Sequence, residues 1–469
     1  MNVSMLLRKI VVPATGCTEP AAVGLAVALS VRAVNWEIPK WLHTKNVPQM
    51  SKGNLLDSPD NLYKSINDIS VTVDRRIYKN ALSVGIPNTG GEYGLPLASA
   101  LGIFCNPENG LTIFKEVDAK KLGLAKKLVS EKKIKISLPK HRIDELYIEV
   151  SANIAIDNKN VITKTLIRFS HENVIFIKRG KKVLYEKYAG AGKDKGKKEI
   201  FSENLTIEGR PLSSFKVSEI CKMARNISAK DREFMLETLN LNLEASKLGM
   251  VKNVGLGIGK SIIGKTKGKN RSKAERIKRI RSLVASASDA RMAGENITLA
   301  SSSGSGNMGA LVTLSIFAAA EAQGTINKKL LAESLALGHL ITAYLTEFIG
   351  ILSPLCGSSA KGGIGAAAGI TRILGGNDTQ VEKAMKNMIS TLSGVICDGA
   401  KMSCALKVAE AAGIAYECAC LALENIEVPF TDGIAGKTIE ETISNLRSLS
   451  LAMGKAEDAI IKVMQKKKF

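Results

Sequence analysis

Residues 20–34 are apolar on nearly every side, a pattern that predicts a helix buried all round rather than one lying on a surface. Residues 1–34 as a whole read as two helices about a tight turn. An irregular connection punctuated by Pro39, Pro48 and Pro59 follows. Between about residues 66 and 210 the period shortens to two. The runs Ile69-Ser70-Val71-Thr72-Val73, Ala81-Leu82-Ser83-Val84-Gly85-Ile86 and Tyr147-Ile148-Glu149-Val150, with residues 161–169 and 174–177, alternate as half-buried antiparallel strands do. Helical spacing appears between them at 92–104 and 122–130. The Gly- and Lys-rich stretch 189–198 reads as an exposed loop.

From about residue 216 nearly every segment has helical spacing: 218–223, 229–248, 272–291, 309–322, 328–347, 363–374, 378–393, 402–424 and 438–464. Small-residue tracts such as Gly362-Gly363-Ile364-Gly365-Ala366-Ala367-Ala368-Gly369 permit close helix approach. The expected organisation is a set of N-terminal helices over 1–65 packing on a catalytic domain, an α+β sandwich over 66–215 and a helical domain over 216–469. The expected fold class is α+β: a mainly helical domain plus a smaller α/β sandwich with a mostly antiparallel sheet.

Composition supports this picture. Apolar residues make up 45% of the 469 and aromatics only 4%, so Ala, Leu, Ile and Gly must build the interior. That favours close-packed helices. The eight cysteines are not spaced as in a small secreted scaffold, and residues 1–10 are too polar for the core of a signal peptide. A reducing cytoplasm is expected, where thiols are available for metal or catalysis. No stretch reads as a membrane span, since only about ten apolar residues follow the Ser/Gly turn in the longest uncharged run, and a span needs roughly 20.

The net charge of +22 is that of a lysine-rich solvated surface. Its basic clusters carry neither aromatic stacking residues nor zinc-finger spacing, so no specific nucleic-acid partner is expected. Such a field attracts a small anionic substrate. A homo-oligomer is compatible with the sequence.

Candidate chemistry concentrates in cysteines. Cys356 lies in a Pro354-Leu355-Cys356-Gly357 turn, and Cys397 and Cys404 flank Asp398-Gly399-Ala400-Lys401. Seven residues of unbroken helix would separate the latter two by about 10.5 Å of rise, long for one compact centre, whereas Asp398-Gly399 offers a break. Three thiolates can hold three irons of a four-iron cluster and leave the fourth open, a Lewis acid. A structural zinc site is the metal alternative, although CxxC pairs are absent. Three unrelated buried thiols are the bland alternative. Cys105, Cys221, Cys418 and Cys420 read as core packing.

Upstream, Cys17 in Gly16-Cys17-Thr18-Glu19-Pro20 stands at the start of the buried helix, with Thr18 as the expected cap. A thiol at a helix N-terminus is biased towards thiolate; a small buried residue at a helix start is the alternative. The Ser301-Ser302-Ser303-Gly304-Ser305-Gly306-Asn307 turn precedes an apolar helix and offers amides and hydroxyls to a carboxylate or phosphate. A flexible linker is the bland alternative. Pro87-Asn88-Thr89-Gly90-Gly91 is a weaker loop of the same kind, since it is also ordinary turn chemistry. The histidines show no metal spacing: His339 reads as a core residue, and His43, His141 and His171 as surface. Thr18, Glu19, Asn88, Thr89, Gly90, Ser303, Gly304, Ser305 and Asn307 are the substrate-binding candidates, and Cys17 and Lys401 the catalytic ones. Lys361 or Lys401 with the Ser/Gly turn would also suit a pyridoxal-phosphate enzyme. A basic binding protein without catalysis is the reading suggested by charge alone.

The motifs Pro13-Ala14-Thr15-Gly16-Cys17-Thr18-Glu19-Pro20, Gly304-Ser305-Gly306-Asn307, Leu355-Cys356-Gly357 and Cys397-Asp398-Gly399-Ala400-Lys401 through Cys404-Ala405-Leu406-Lys407, in that order, resemble the L-cysteine desulfidase family, which is related to the iron–sulfur L-serine dehydratases. The resemblance implies an oxygen-sensitive four-iron four-sulfur cluster held by Cys356, Cys397 and Cys404. It implies a carbon–sulfur lyase that converts L-cysteine to pyruvate, ammonia and hydrogen sulfide, with L-serine deamination as the alternative reaction. Cys17 becomes the candidate base or a labile occupant of the open iron. Two departures stand out. Met308 replaces a common Gln, and the Lys466-Lys467-Lys468-Phe469 end has no cysteine of the kind that caps the open iron in dehydratase relatives.

Overall fold

The computed structural model of the chain describes residues 1–35, 37–42, 58–141, 143, 145–157, 159–187, 205–264 and 272–467. His43, Pro48 and the 189–198 stretch read as an exposed loop lie outside the described residues. The chain forms two compact units. One comprises Met1–Ala14, Asn204–Ala293 and Ile297–Phe469; the other comprises Thr15–Glu203 with Gly294–Asn296. The chain passes from the first to the second between Ala14 and Thr15, inside the stretch 1–65 read as one N-terminal block. Helix Val3–Ile10 belongs to the first unit, while helix Thr18–Arg32 packs on helix Leu95–Ile103 and strand Tyr147–Ile156 of the second.

The larger unit is helical. Ala229–Val251, Lys273–Met292, Gly306–Glu321, Lys328–Ile349, Gly363–Ile373, Asp378–Leu392 and Cys404–Leu423 enclose a core of Leu, Ile and Ala. Gly306–Glu321 is buried along almost its whole length. Its start lies against the short strand Thr298–Ala300, where a Cβ on Gly309 would come 1.9 Å from the Ala300 carbonyl oxygen. Only glycine fits that crossing. The stretch 438–464, expected as one helix, is two, Ile439–Ala452 and Gly454–Gln465. Glycine is a poor helix former, and the break falls beside it.

The Val3–Ile10 helix matters because it carries the backbone that steadies the serine turn. Ser301 N–H donates to the Val12 carbonyl at 2.8 Å and Ser303 N–H to the Ile10 carbonyl at 2.8 Å. The helix is docked through Asp231, which accepts from Ser4 Oγ at 2.6 Å, from Arg8, and from Ser228 Oγ at 2.7 Å, and which closes the capping box of Ala229–Val251. Burial alone would raise the Asp231 pKa; these donors outweigh it and hold the carboxyl at about 2. The folded pKa is depressed, so the stabilisation is present above the ordinary aspartate pKa of about 4 and is lost as pH falls through about 2. Asp231→Ala is expected to lower the unfolding free energy at pH 7 by about 1–3 kcal/mol. In urea titrations the gap to wild type should close between pH about 4 and about 2.

The smaller unit holds a six-stranded sheet in the order Ile134–Ser137, Ile66–Val73, Tyr147–Ile156, Lys159–Arg168, Val174–Arg179, Lys182–Glu186. Every neighbouring pair is antiparallel except the first, where Ile69 aligns with Ile134 in parallel. The run 81–86 is not a strand. Ala81 closes helix Arg75–Ala81, and only Gly85 makes an isolated bridge, to Tyr93. The run is short, and a short apolar run satisfies either period. Among the described residues no helix is long and apolar enough to cross a membrane.

Candidate active site

Cys356, Cys397 and Cys404 are brought together within the helical unit. Leu355 and Ile396 form an antiparallel bridge. Around it Cys356 N–H donates to the Val395 carbonyl at 2.8 Å, and Cys397 N–H to the Pro354 carbonyl at 2.7 Å. Two thiols are therefore held side by side by backbone. Residues 397–403 then leave the helical path. Gly399 takes φ +98°, a conformation that L side chains rarely adopt, and helix Cys404–Leu423 starts afresh at Cys404. The long rise of an unbroken helix is thereby avoided. Cys404 Sγ lies 3.7 Å from the Gly399 carbonyl oxygen.

The electrostatics show that the three thiols feel one another. Burial raises the Cys356 pKa, and the Cys397 thiol raises it further, while the Ser358 and Ser359 amides and Lys407 pull the other way. Those amides open the π-turn Ser358–Gly362, which runs straight into helix Gly363–Ile373. Burial, then Cys356, pushes Cys404 up to about 11. Burial disfavours the thiolate form at Cys356 and Cys404, and a neighbouring negative charge disfavours it further. A bound cationic metal centre would offset both effects. Among the described residues no group of three His, Cys, Asp or Glu side chains is arranged about a single metal ion. A cubane makes no such demand, because each thiolate takes a different iron. Three soft sulfur donors, two in turns and one at a helix start, fit an iron–sulfur cluster.

Charged neighbours brace this loop. Asp398 pairs with Lys401 and with Lys407 (Nζ to Oδ1 2.6 Å), and Lys407 also donates to the Ile396 carbonyl at 2.8 Å. Burial would raise the Asp398 pKa, but the two lysines bring it down to about 2. Lys401, a sequence candidate for catalysis, is thus committed to Asp398 and to the Gly399 carbonyl at 3.3 Å. Lys361 is buried, and its ammonium donates to the Gly350 and Ile351 carbonyls at 2.8 Å each. An ammonium capping a helix end is ill suited to form a Schiff base, which needs a neutral amine.

The serine turn adjoins the Cys356 segment. Met308 is buried, and a Cβ on Gly357 would come 3.1 Å from its sulfur; one on Gly362 would come 3.1 Å from its Cβ. The position that departs from the family's Gln therefore fills space between turn and thiol segment. Ser305 caps Gly306–Glu321 by accepting from the Met308 amide at 3.4 Å. Ser303 and Gly304 sit at φ +46° and +82°. Among the described residues Ser303 Oγ and Asn307 Oδ1 are buried without a hydrogen-bond partner. Sequence reasoning overlooked Arg291. It is 2% exposed, and a Cβ on Gly306 would meet its Nε at 2.5 Å. The guanidinium and the positive end of helix Gly306–Glu321 thus stand at one place. Nothing local in the sequence marks a buried arginine.

In the α/β unit, Cys17 itself is the N-cap of Thr18–Arg32, not Thr18, because Thr18 already has helical geometry. Its thiol donates to Glu19 Oε2 at 2.8 Å, Thr18 Oγ1 donates to the same oxygen at 3.0 Å, and Asn80 Nδ2 donates to Glu19 Oε1 at 2.9 Å. All four residues are buried. Asn88 spends its amide on the Phe114 and Lys115 carbonyls at 2.9 and 3.1 Å, and Thr89 its hydroxyl on the Ile86 carbonyl at 2.7 Å. Both side chains build their own loop, leaving Gly90 at φ +72° with open space at its Cβ position. Cys105, Cys221 and Cys418 are raised by burial to about 12, as inert core thiols are. His171, read as surface, is buried.

Comparison with known proteins gives the family. The family model for the serine dehydratase alpha chain matches residues 108–461. The chain is 33% identical to a UPF0597 protein of Caldanaerobacter subterraneus subsp. tengcongensis over 98% of this chain and 97% of that one. It is 34% identical to a UPF0597 protein of Clostridioides difficile over 98% of each, and 32% identical to one of Kosmotoga olearia over 99% of each. The chain belongs to the serine dehydratase alpha-chain family. The matched span contains the three cysteines and the serine turn but not Cys17 or Asn88.

Proposed function

We propose that this chain is an iron–sulfur lyase that breaks the bond from Cβ to the β-substituent of a small free amino acid, converting L-cysteine and water to pyruvate, ammonia and hydrogen sulfide. The observation that carries the reading is the gathering of Cys356, Cys397 and Cys404 beside a turn with unmet buried polar atoms. Cys356, Cys397 and Cys404 would hold a four-iron four-sulfur cluster. When bound, such a cluster supplies Lewis acidity at the iron that no protein thiolate occupies.

The chain's own groups supply binding and orientation. The start of Gly306–Glu321 and the Arg291 guanidinium take the substrate carboxylate, with Ser303 Oγ donating to it. Asn307 Oδ1, which accepts no hydrogen bond among the described residues, suits the ammonium. Both termini of the amino acid are then fixed while its β-substituent remains free to react. Lys401 and Lys407, bridged by Asp398, keep the 397–403 loop in shape. The base is proposed to be Cys17, whose thiol already shares a hydrogen bond with Glu19. A second reading, L-serine dehydration by the same groups, is favoured by the serine dehydratase family match.

Anaerobic loading with iron and sulfide, followed by iron and acid-labile sulfide analysis, tests the cluster. Sulfide release from L-cysteine measured against pyruvate release from L-serine then separates the two readings. Faster turnover of L-cysteine is expected. A chain that takes up no iron under these conditions is not this enzyme.

A further inference from the structure

Three consecutive serines open the turn, and they are not equivalent. Ser301 Oγ donates to the Val12 carbonyl at 2.8 Å. Ser302 Oγ lies 3.0 Å from His339 Nδ1. Ser303 Oγ, among the described residues, has no partner although it is buried. Two hydroxyls anchor the turn and the third is left for something else. The turn itself is closed by a reciprocal pair: Ser302 N–H donates to the Ser305 carbonyl at 3.0 Å and Ser305 N–H to the Ser302 carbonyl at 3.1 Å. Its two central residues, Ser303 and Gly304, both have positive φ, the geometry of a type I′ turn, which favours Asn or Gly. A serine at φ +46° is held there against its preference by what surrounds it.

His339 meets the turn from the side, at the Ser302 hydroxyl. It lies in helix Lys328–Ile349, fully buried, and among the described residues its Nε2 makes no hydrogen bond. Burial lowers its pKa to about 3, so the ring is neutral and one nitrogen donates while the other accepts. An aliphatic residue would fill this apolar helix face without the cost of burying imidazole. The polar gain visible here is the bond to Ser302.

We propose that His339 is a positioning residue, whose Nδ1 bond to Ser302 locks the serine turn in the one conformation that presents the Ser303 hydroxyl to the substrate carboxylate. The inference rests on the carboxylate assignment made above and adds the residue that enforces it. It separates anchoring (Ser301, Ser302, His339) from contact (Ser303, Asn307).

The test uses the full chain. His339→Leu removes the bond; His339→Asn places an amide where Nδ1 stood; Ser302→Ala breaks the same bond from the other side should the histidine variant fold poorly. Amide exchange of residues 302–305 in the iron-free protein reports the turn. It should quicken at least tenfold in His339→Leu and in Ser302→Ala, and stay within about threefold of wild type in His339→Asn. In the loaded enzyme the first two should raise KM about tenfold with kcat within about threefold, and His339→Asn should restore KM. Unchanged exchange and unchanged KM in both His339→Leu and Ser302→Ala would overturn the positioning role. Quickened exchange with unchanged KM would uphold the anchoring by His339 while removing the turn from the carboxylate site, so the two failures are told apart.

Discussion

Cys404→Ala should give a folded chain that neither retains iron nor turns over substrate. Cys404 is the first residue of its helix and keeps some exposure, so truncating it to alanine removes few packing atoms and should cost about 1 kcal/mol or less. Its thiol is nevertheless one of only three in the gathered set, and a cubane with two protein ligands is not held. Iron content, visible absorbance and activity should fall together, activity by about 10³-fold or more, while the far-ultraviolet dichroism of the iron-free protein is unchanged. Cys418→Ala is the matched control. It removes a thiol that is more deeply buried, so it should cost more stability yet leave iron and turnover in place. If Cys404→Ala binds a full complement of iron, the proposed ligand set fails.

The second large effect is expected at Cys17. Cys17→Ser keeps the size and the hydrogen bond to Glu19 but replaces a thiol with a far weaker acid, unable to serve as an anionic base near neutral pH. Turnover should drop by about 10²–10⁴-fold, with iron content and absorbance like those of wild type. The split distinguishes the two roles considered for this residue: a base leaves the cluster intact, whereas a cluster occupant alters its spectrum. Normal turnover in Cys17→Ser would move the base elsewhere.

Most helices of the larger unit were legible in the sequence because their apolar faces are long and repeat at helical spacing. The buried helix after Cys17 was legible for a different reason: it has no polar face at all. Cys356 and Cys397 stood out in the sequence through Pro354, Gly357 and Gly399, neighbours that interrupt helical spacing. The run 81–86 misled because six apolar and small residues fit either period. The break at Met453 misled because the apolar stripe continues across it. His339 could only be read as a core residue, since the atom that gives it meaning belongs to Ser302, 37 positions away. Arg291 was invisible for the same reason, its environment being set by Gly306 across the fold. Residues whose role depends on a distant partner leave no local mark.

Helix Lys328–Ile349 carries His339 partway along, and the carbonyl of Gly350 that follows its last residue grips Lys361, five positions beyond Cys356. Eleven residues separate the two attachment points, about 16 Å of rigid rod. One helix thereby acts as a ruler between the serine hydroxyls and the thiol segment. A single inserted residue between His339 and Gly350 would rotate one end against the other by roughly 100°, throwing the two halves out of register while touching neither.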